Sequence, residues 1–165
     1  MAYIPNSSFH AILPHITFMT AGKQTMMRNF ELLDKATADD ASGVITLTTH
    51  DETPGAPVVA LRREGVYIVI SASYGPLEVA LRPRFQELIR ALARLQPVEG
   101  LQTTRQVGTG QAYIALGLKP DGSLLMRPTI VADATGHLAF NLSLTDTIRK
   151  ALFDWLPVGA PSADV

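Results

Sequence analysis

Eight side chains on strand-like or hairpin-like runs are of the types that hold a nucleic-acid strand: Arg62, Arg63, Tyr67, Arg82, Arg105, Tyr113, Lys119 and Arg127. Guanidinium and ammonium groups neutralise phosphates, and a phenol ring offers a flat face on which a base can stack. All eight fall in short apolar runs or in the turns between them, so sheet and hairpin would do this chemistry. Each also has a plainer reading. Arg62-Arg63 suits a solvated hairpin end, and Tyr67 and Tyr113 can equally cover the second face of a sheet. Between 42 and 158 there are eleven Lys/Arg against ten Asp/Glu, so any basic patch must come from placement rather than from excess.

Other chemistries find less support. His10 and His15 flank a proline at poor spacing for one metal ion, and His50-Asp51-Glu52 are loop neighbours that do not converge easily on a cation. Ser71, Ser73, Ser123 and Ser143 lack the G-x-S-x-G context of a nucleophile elbow. Gly22-Lys23-Gln24-Thr25 lacks the upstream glycine of a phosphate loop, and Gly108-Thr109-Gly110 is an ordinary hairpin turn that could also cradle an anion. The expectation is a non-catalytic chain with no metal and no cofactor.

Composition sets the frame. Of 165 residues, 47% are hydrophobic and 18% charged, which suits one packed domain and excludes a disordered chain. The formal net charge of −1 argues against a strongly basic coating protein. Ten of the fourteen cations are Arg, the better residue for planar stacking and phosphate forks, although a GC-rich coding bias would give the same excess. With no cysteine there is no disulfide framework and no thiolate site. No apolar run reaches the length of a membrane helix, and Met1-Ala2-Tyr3-Ile4-Pro5 has no basic leader, so a cytoplasmic protein is expected.

The elements that must position the candidate residues come in a repeated order. Residues 1–41 stand apart: an apolar arm, His10 to Met19, interrupted by Pro14, then Met26, Met27, Phe30 and Leu33 at helical spacing within 24–36. Asp39-Asp40-Ala41-Ser42-Gly43 is a turn or linker. Strand-like runs follow at 44–49, 58–62, 66–70 and 77–82, with Glu64-Gly65 as a tight turn. Pro83 then opens a helix over 83–96 with its stripe on Phe85, Leu88, Ile89, Leu92 and Leu95, leaving Arg84, Glu87, Arg90 and Arg94 largely off it. The same order returns at 101–106, 111–118, 123–132 and 137–142, where Pro128 predicts an edge or a bulge. Ser143 with Asp146 resembles a capping box for a helix over 143–156, whose stripe includes Trp155. Gln96-Pro97-Val98 and Leu156-Pro157-Val158 close the two series 60 positions apart.

A tandem pair of four strands plus a helix resembles the Whirly proteins and the single-stranded-DNA-binding coactivators typified by positive cofactor four. The resemblance covers about 42–158. It rests on strands running directly into helices, as in Leu138 to Asp146 and Gly75 to Phe85, and on the Lys119-Pro120-Asp121-Gly122 turn. The lysine-rich hairpin of the coactivators and the basic Whirly assembly motif are both missing. The resemblance implies an α+β fold with two antiparallel four-stranded sheets and two helices, and a transcription-related single-strand binder.

The reading is therefore a duplicated β-β-β-β-α domain at 42–158, with halves 42–98 and 99–158, an extension at 1–41 and a tail at 159–165. Single-stranded DNA or RNA is the expected partner, with homo-oligomer formation as a further expectation. The competing reading is a protein-interaction or assembly module that shares the fold and binds no nucleic acid. In it, the arm and helix of 1–41 cover the chain's own sheet or pair with a second chain.

Overall fold

A computed structural model describes residues 29–159 as an α+β protein with two mostly antiparallel sheets and two helices. In chain order, β1 (Glu31–Leu33), β2 (Lys35–Asp39), β3 (Val44–Thr48), β4 (Val58–Glu64), β5 (Tyr67–Tyr74) and β6 (Leu77–Leu81) lead into α1 (Phe85–Ala93). Then β7 (Arg105–Gly108), β8 (Ala112–Leu118), β9 (Leu124–Asp133), β10 (Gly136–Ala139) and β11 (Leu142–Leu144) lead into α2 (Asp146–Trp155). The first sheet runs β2-β3-β4-β5-β6, and the second runs β1-β11-β9-β8-β7 with β10 also on β9. The arm expected from His10 to Met19, the first part of the helix expected over 24–36 and residues 160–165 of the tail lie outside the described residues.

Alternation of side chains builds the core. Ile45, Leu47, Val59, Leu61, Ile68, Ile70, Val79 and Leu81 line the inner face of the first sheet. Ile114, Leu116, Leu124, Met126, Leu142 and Leu144 line that of the second, and all belong to one continuous cluster. The helices join the sheets: α1 lies against β5 and β7, and α2 against β11, β2 and β3. Phe85, Leu88, Leu92 and Leu95 are buried, as the spacing of the first stripe predicts.

Several expectations are corrected. Both sheets have more than four strands, because residues read as an extension supply β1 and β2. The segment from Glu31 on is strand rather than helix, since its backbone groups pair with β11 and β3 and this outweighs the helical spacing of Phe30 and Leu33. The turn expected at Asp39 to Gly43 is present, as the β2–β3 hairpin: Gly43 N–H donates to the Asp39 carbonyl at 2.8 Å, and the Asp39 carboxylate accepts from Ser42 Oγ at 2.6 Å. Val66 is an exposed turn residue, and the return strand starts at Tyr67. The segment 101–104 precedes β7, so the strand expected there starts at Arg105. Both helices are shorter than predicted. Ser143 belongs to β11, and the cap is Thr145, whose hydroxyl accepts from Ile148 N–H at 3.3 Å.

Pro128 stands inside β9, a central strand. Phe140 N–H donates to its carbonyl at 3.2 Å, and proline has no N–H to return. The cost appears on the partner, where one strand is broken at Phe140-Asn141 into β10 and β11 in a common register on β9.

The link between α1 and β7 is pinned at both ends to β8: Val98 N–H donates to the Leu118 carbonyl at 2.9 Å, and Thr104 N–H to the Leu116 carbonyl at 2.7 Å. Between those points the chain bulges over the outer face of the second sheet at Gly117. A Cβ there would sit 2.1 Å from the Gln102 carbonyl oxygen, so only glycine fits. Leu125, paired with Gly117, is fully buried although it points away from the core.

Asp34 alone separates β1 from β2. Its N–H donates to the Thr48 carbonyl at 3.0 Å, and its carboxylate accepts from His50 N–H at 2.7 Å with His50 Nδ1 at 3.0 Å. These hydrogen bonds hold the Asp34 carboxyl below the usual carboxylate range. A lowered carboxyl pKa contributes stability that is present above the ordinary value and is lost as pH falls through the folded one. Asp34→Asn should therefore flatten the loss of stability between about pH 5 and pH 2, read by denaturant titration at each pH. Next to it, Leu33 is fully buried and Leu32 is half exposed. Leu33→Ala should cost about 2–5 kcal/mol in chemical denaturation, and Leu32→Ala within about 0.5 kcal/mol.

Candidate nucleic-acid interface

The eight residues singled out in the sequence do not form one surface. Arg62, Tyr67 and Arg82 come together on the outer face of the first sheet, near the β4–β5 turn. Glu64 stands opposite Tyr67 in the strand register and pairs with Arg62 and, at 3.5 Å, with Arg82. Arg82 also lies over the Tyr67 ring, 4.6 Å from its centre. Arg63 turns to the other side, 4.3 Å above the centre of the Phe85 ring, with Nε donating to the Gly65 carbonyl at 3.3 Å. Lys119 sits in the β8–β9 turn and pairs with Asp121 at 3.2 Å.

Arg105 lines a groove that reaches back to Arg82 and Tyr67. Glu87, Arg90, Ala91 and Arg94 share the helical face opposite the buried stripe of α1, and this face looks across to Arg105 and Gln106 of β7 over a cleft of about 280 Å³. A second cleft of about 400 Å³ continues it past Glu87, Val107 and Gly108 to Arg82, Arg84 and Tyr67. Together they form one groove between the edge strands β6 and β7. Five arginines line it, with Glu87 as the carboxylate among the lining residues. Among the described residues no ion pair reaches Arg84, Arg90, Arg94 or Arg105.

Charge is distributed unevenly along this near-neutral chain. Residues 82–108 hold five Arg and two Glu, whereas the rest of the chain holds nine Lys/Arg against thirteen Asp/Glu. Unpaired guanidinium groups along a groove are free to form paired hydrogen bonds with phosphate oxygens.

Tyr113 and Arg127 meet on the outer face of the second sheet, with His137 of β10. An Arg127 terminal nitrogen lies 3.4 Å from His137 Nε2. The Asp133–Gly136 turn closes this cleft, whose volume is about 530 Å³. Asp133 is occupied by its own turn: its carboxylate accepts from the Thr135 N–H and hydroxyl, both at 2.6 Å, which lowers its pKa. The register that pairs Leu142 with Met126 brings Asn141 beside Arg127, and Arg127 Nε and Asn141 Oδ1 are both buried without a hydrogen-bond partner.

Reading strands and hairpins alone missed Arg84, Arg90, Arg94 and His137. The signal for three of them was present: Arg84, Arg90 and Arg94 recur, with Glu87, at helical spacing on the polar side of a clear stripe. Nothing local marks His137, which reaches Arg127 through strand pairing. Among the described residues, no group of three or more His, Asp or Glu is placed to hold a metal ion, and no helix is long and apolar enough to cross a membrane. The chain matches no protein-family model, no curated protein and no solved structure.

Arg90 and Arg94 are like charges four residues apart on one helix, an arrangement that destabilises by a few tenths of a kcal/mol. The Arg90→Gln, Arg94→Gln double variant should melt at or slightly above the wild-type temperature at low salt, as thermal denaturation followed by circular dichroism would read. A large drop would show that these side chains support the fold.

Proposed function

We propose that this protein binds single-stranded nucleic acid, without catalysis, along the groove between α1 and β7. The observation that carries the reading is the set of four arginines there with no carboxylate partner. Phosphates of a strand in this groove would meet Arg84, Arg90, Arg94 and Arg105, while the Arg82–Tyr67 stack at one end offers a flat platform for a base. Duplex reading by a helix is disfavoured on geometry. One face of α1 is buried in the core and its arginines line the cleft beside β7, which leaves only the narrow exposed strip of Gln86 and Ala93 outside both.

The likeness in pattern to the Whirly and positive-cofactor-four proteins supports the same direction. In this reading the chain is an internal duplication, β3–β6 with α1 and β7–β11 with α2, and its role is tied to transcription. Fold analogy is a weaker warrant than the groove, because folds host unrelated functions. The competing reading, an assembly module, draws on the outer face of the first sheet. There Val44, Ala60, Val69 and Ser71 line a shallow hollow of about 180 Å³.

Fluorescence anisotropy of labelled oligo-dT, with duplex of the same length as control, tests the proposal. Single strands should bind more tightly, and affinity should fall as salt rises. For single strands each neutralised phosphate contributes about 0.7 to the slope of log K against log salt. Arg90→Gln, Arg94→Gln, Arg105→Gln should therefore flatten that slope by about 2. Absence of binding at low salt would move the assignment to the assembly module.

A further inference from the structure

We infer that the binding path does not end in the groove: the Tyr113–Arg127–His137 cleft is a nucleotide subsite for the same strand, reached over the β7–β8 turn. This rests on the proposed single-strand reading. Ala112 lines the groove, and Tyr113, the next residue of β8, lines the cleft on the opposite face of the sheet. Only the short turn from Gly108 to Gln111 separates them.

That turn is low and firm. Thr109 N–H donates to the Ala112 carbonyl at 2.9 Å, and Thr109 Oγ1 accepts from Ala112 N–H at 3.0 Å. Gly108 has φ of +123°, and a Cβ there would lie 2.4 Å from the Ala112 carbonyl oxygen, so this position stays without a side chain. Gly110 likewise presents bare backbone over which a strand can pass closely.

Beyond the turn the chemistry repeats what a nucleotide needs. Tyr113 supplies a ring for the base, and the Arg127–His137 pair supplies donors for a phosphate. Arg127 has no carboxylate partner among the described residues, and Asp133 is held by Thr135. The fold also gains little from this guanidinium, since its Nε is buried and unpaired. A cation placed against stability, near an aromatic ring and one turn away from a groove lined with arginine, has its use outside the chain.

The test compares Arg127→Met and Tyr113→Leu with wild type on oligo-dT of about five and about twenty nucleotides, lengths that bracket one binding unit. Tyr113→Leu should bind the long strand roughly tenfold more weakly, the size of one lost base stack. Arg127→Met should weaken it too and flatten its salt slope by about 0.7. Both should bind the short strand as wild type does. Arg127→Met should melt no lower than wild type, which separates a lost contact from a lost fold. Equal binding of the long strand by wild type and both variants would overturn the subsite while leaving the groove in place. Equal weakening at both lengths would overturn it too, by putting these residues inside the primary site. Failure of wild type to bind either length would remove the proposed function and the subsite with it.

Discussion

One residue joins two sheets. Leu33 ends a strand of the second sheet and Lys35 begins a strand of the first, so the backbone of Asp34 must serve both. Its N–H goes to Thr48, and its carboxylate gathers the backbone and ring of His50, so the crossing is tied to the β3 end of the first sheet. With β1 and β2 fixed at neighbouring edges, the free edges β6 and β7 fall on the far side of both sheets. The groove opens between those free edges, and its position follows from where the sheets are joined.

The helices complete that arrangement by each serving both sheets. α1 uses Phe85, Leu88 and Leu92 to bind the core and presents Glu87, Arg90 and Arg94 to the edge of β7. Burial of its apolar stripe therefore fixes where its charges point. α2 does comparable packing against β2 and β3, but its charges close on themselves: Asp146 accepts from Arg149 and Lys150, both at 2.6 Å, and Arg149 Nε donates to the Gly122 carbonyl at 2.8 Å. Two helices of similar position thus differ in what they leave free. α1 leaves cations unpaired, and α2 leaves few.

Much of the strand and helix order was legible because period-two runs such as Leu77 to Leu81 and the stripe from Phe85 to Leu95 carry their own signal. Positions decided by long-range pairing were not. Glu31 to Leu33 reads as helix locally and becomes strand because β11 offers an open edge. Ser143 resembles a cap and is claimed by pairing with Leu125, which leaves the task to Thr145. For the candidate site the residue types were legible and their grouping was not. Arg62, Arg63 and Arg82 look like one patch along the chain, yet Glu64 and Phe85 engage them on two faces, while Arg105 joins helical arginines that a search of strands passes over. Overall composition, with a net charge of −1, hides a local excess of five Arg over two Glu in residues 82–108 that a count along the chain reveals.

The loop over Gly117 gives the groove a mechanical character. Its two walls, α1 and β7, are the two arms of one link, and both ends of that link are hydrogen-bonded to the same strand, β8. The link works as a calliper whose jaws share a single pivot bar. α1 is also held to the first sheet, Phe85 N–H donating to the Val66 carbonyl at 2.9 Å, so one jaw answers to both sheets. Between the jaws, the bulge from Val98 to Thr104 is pressed so closely on the sheet that the strand beneath it has room only for glycine.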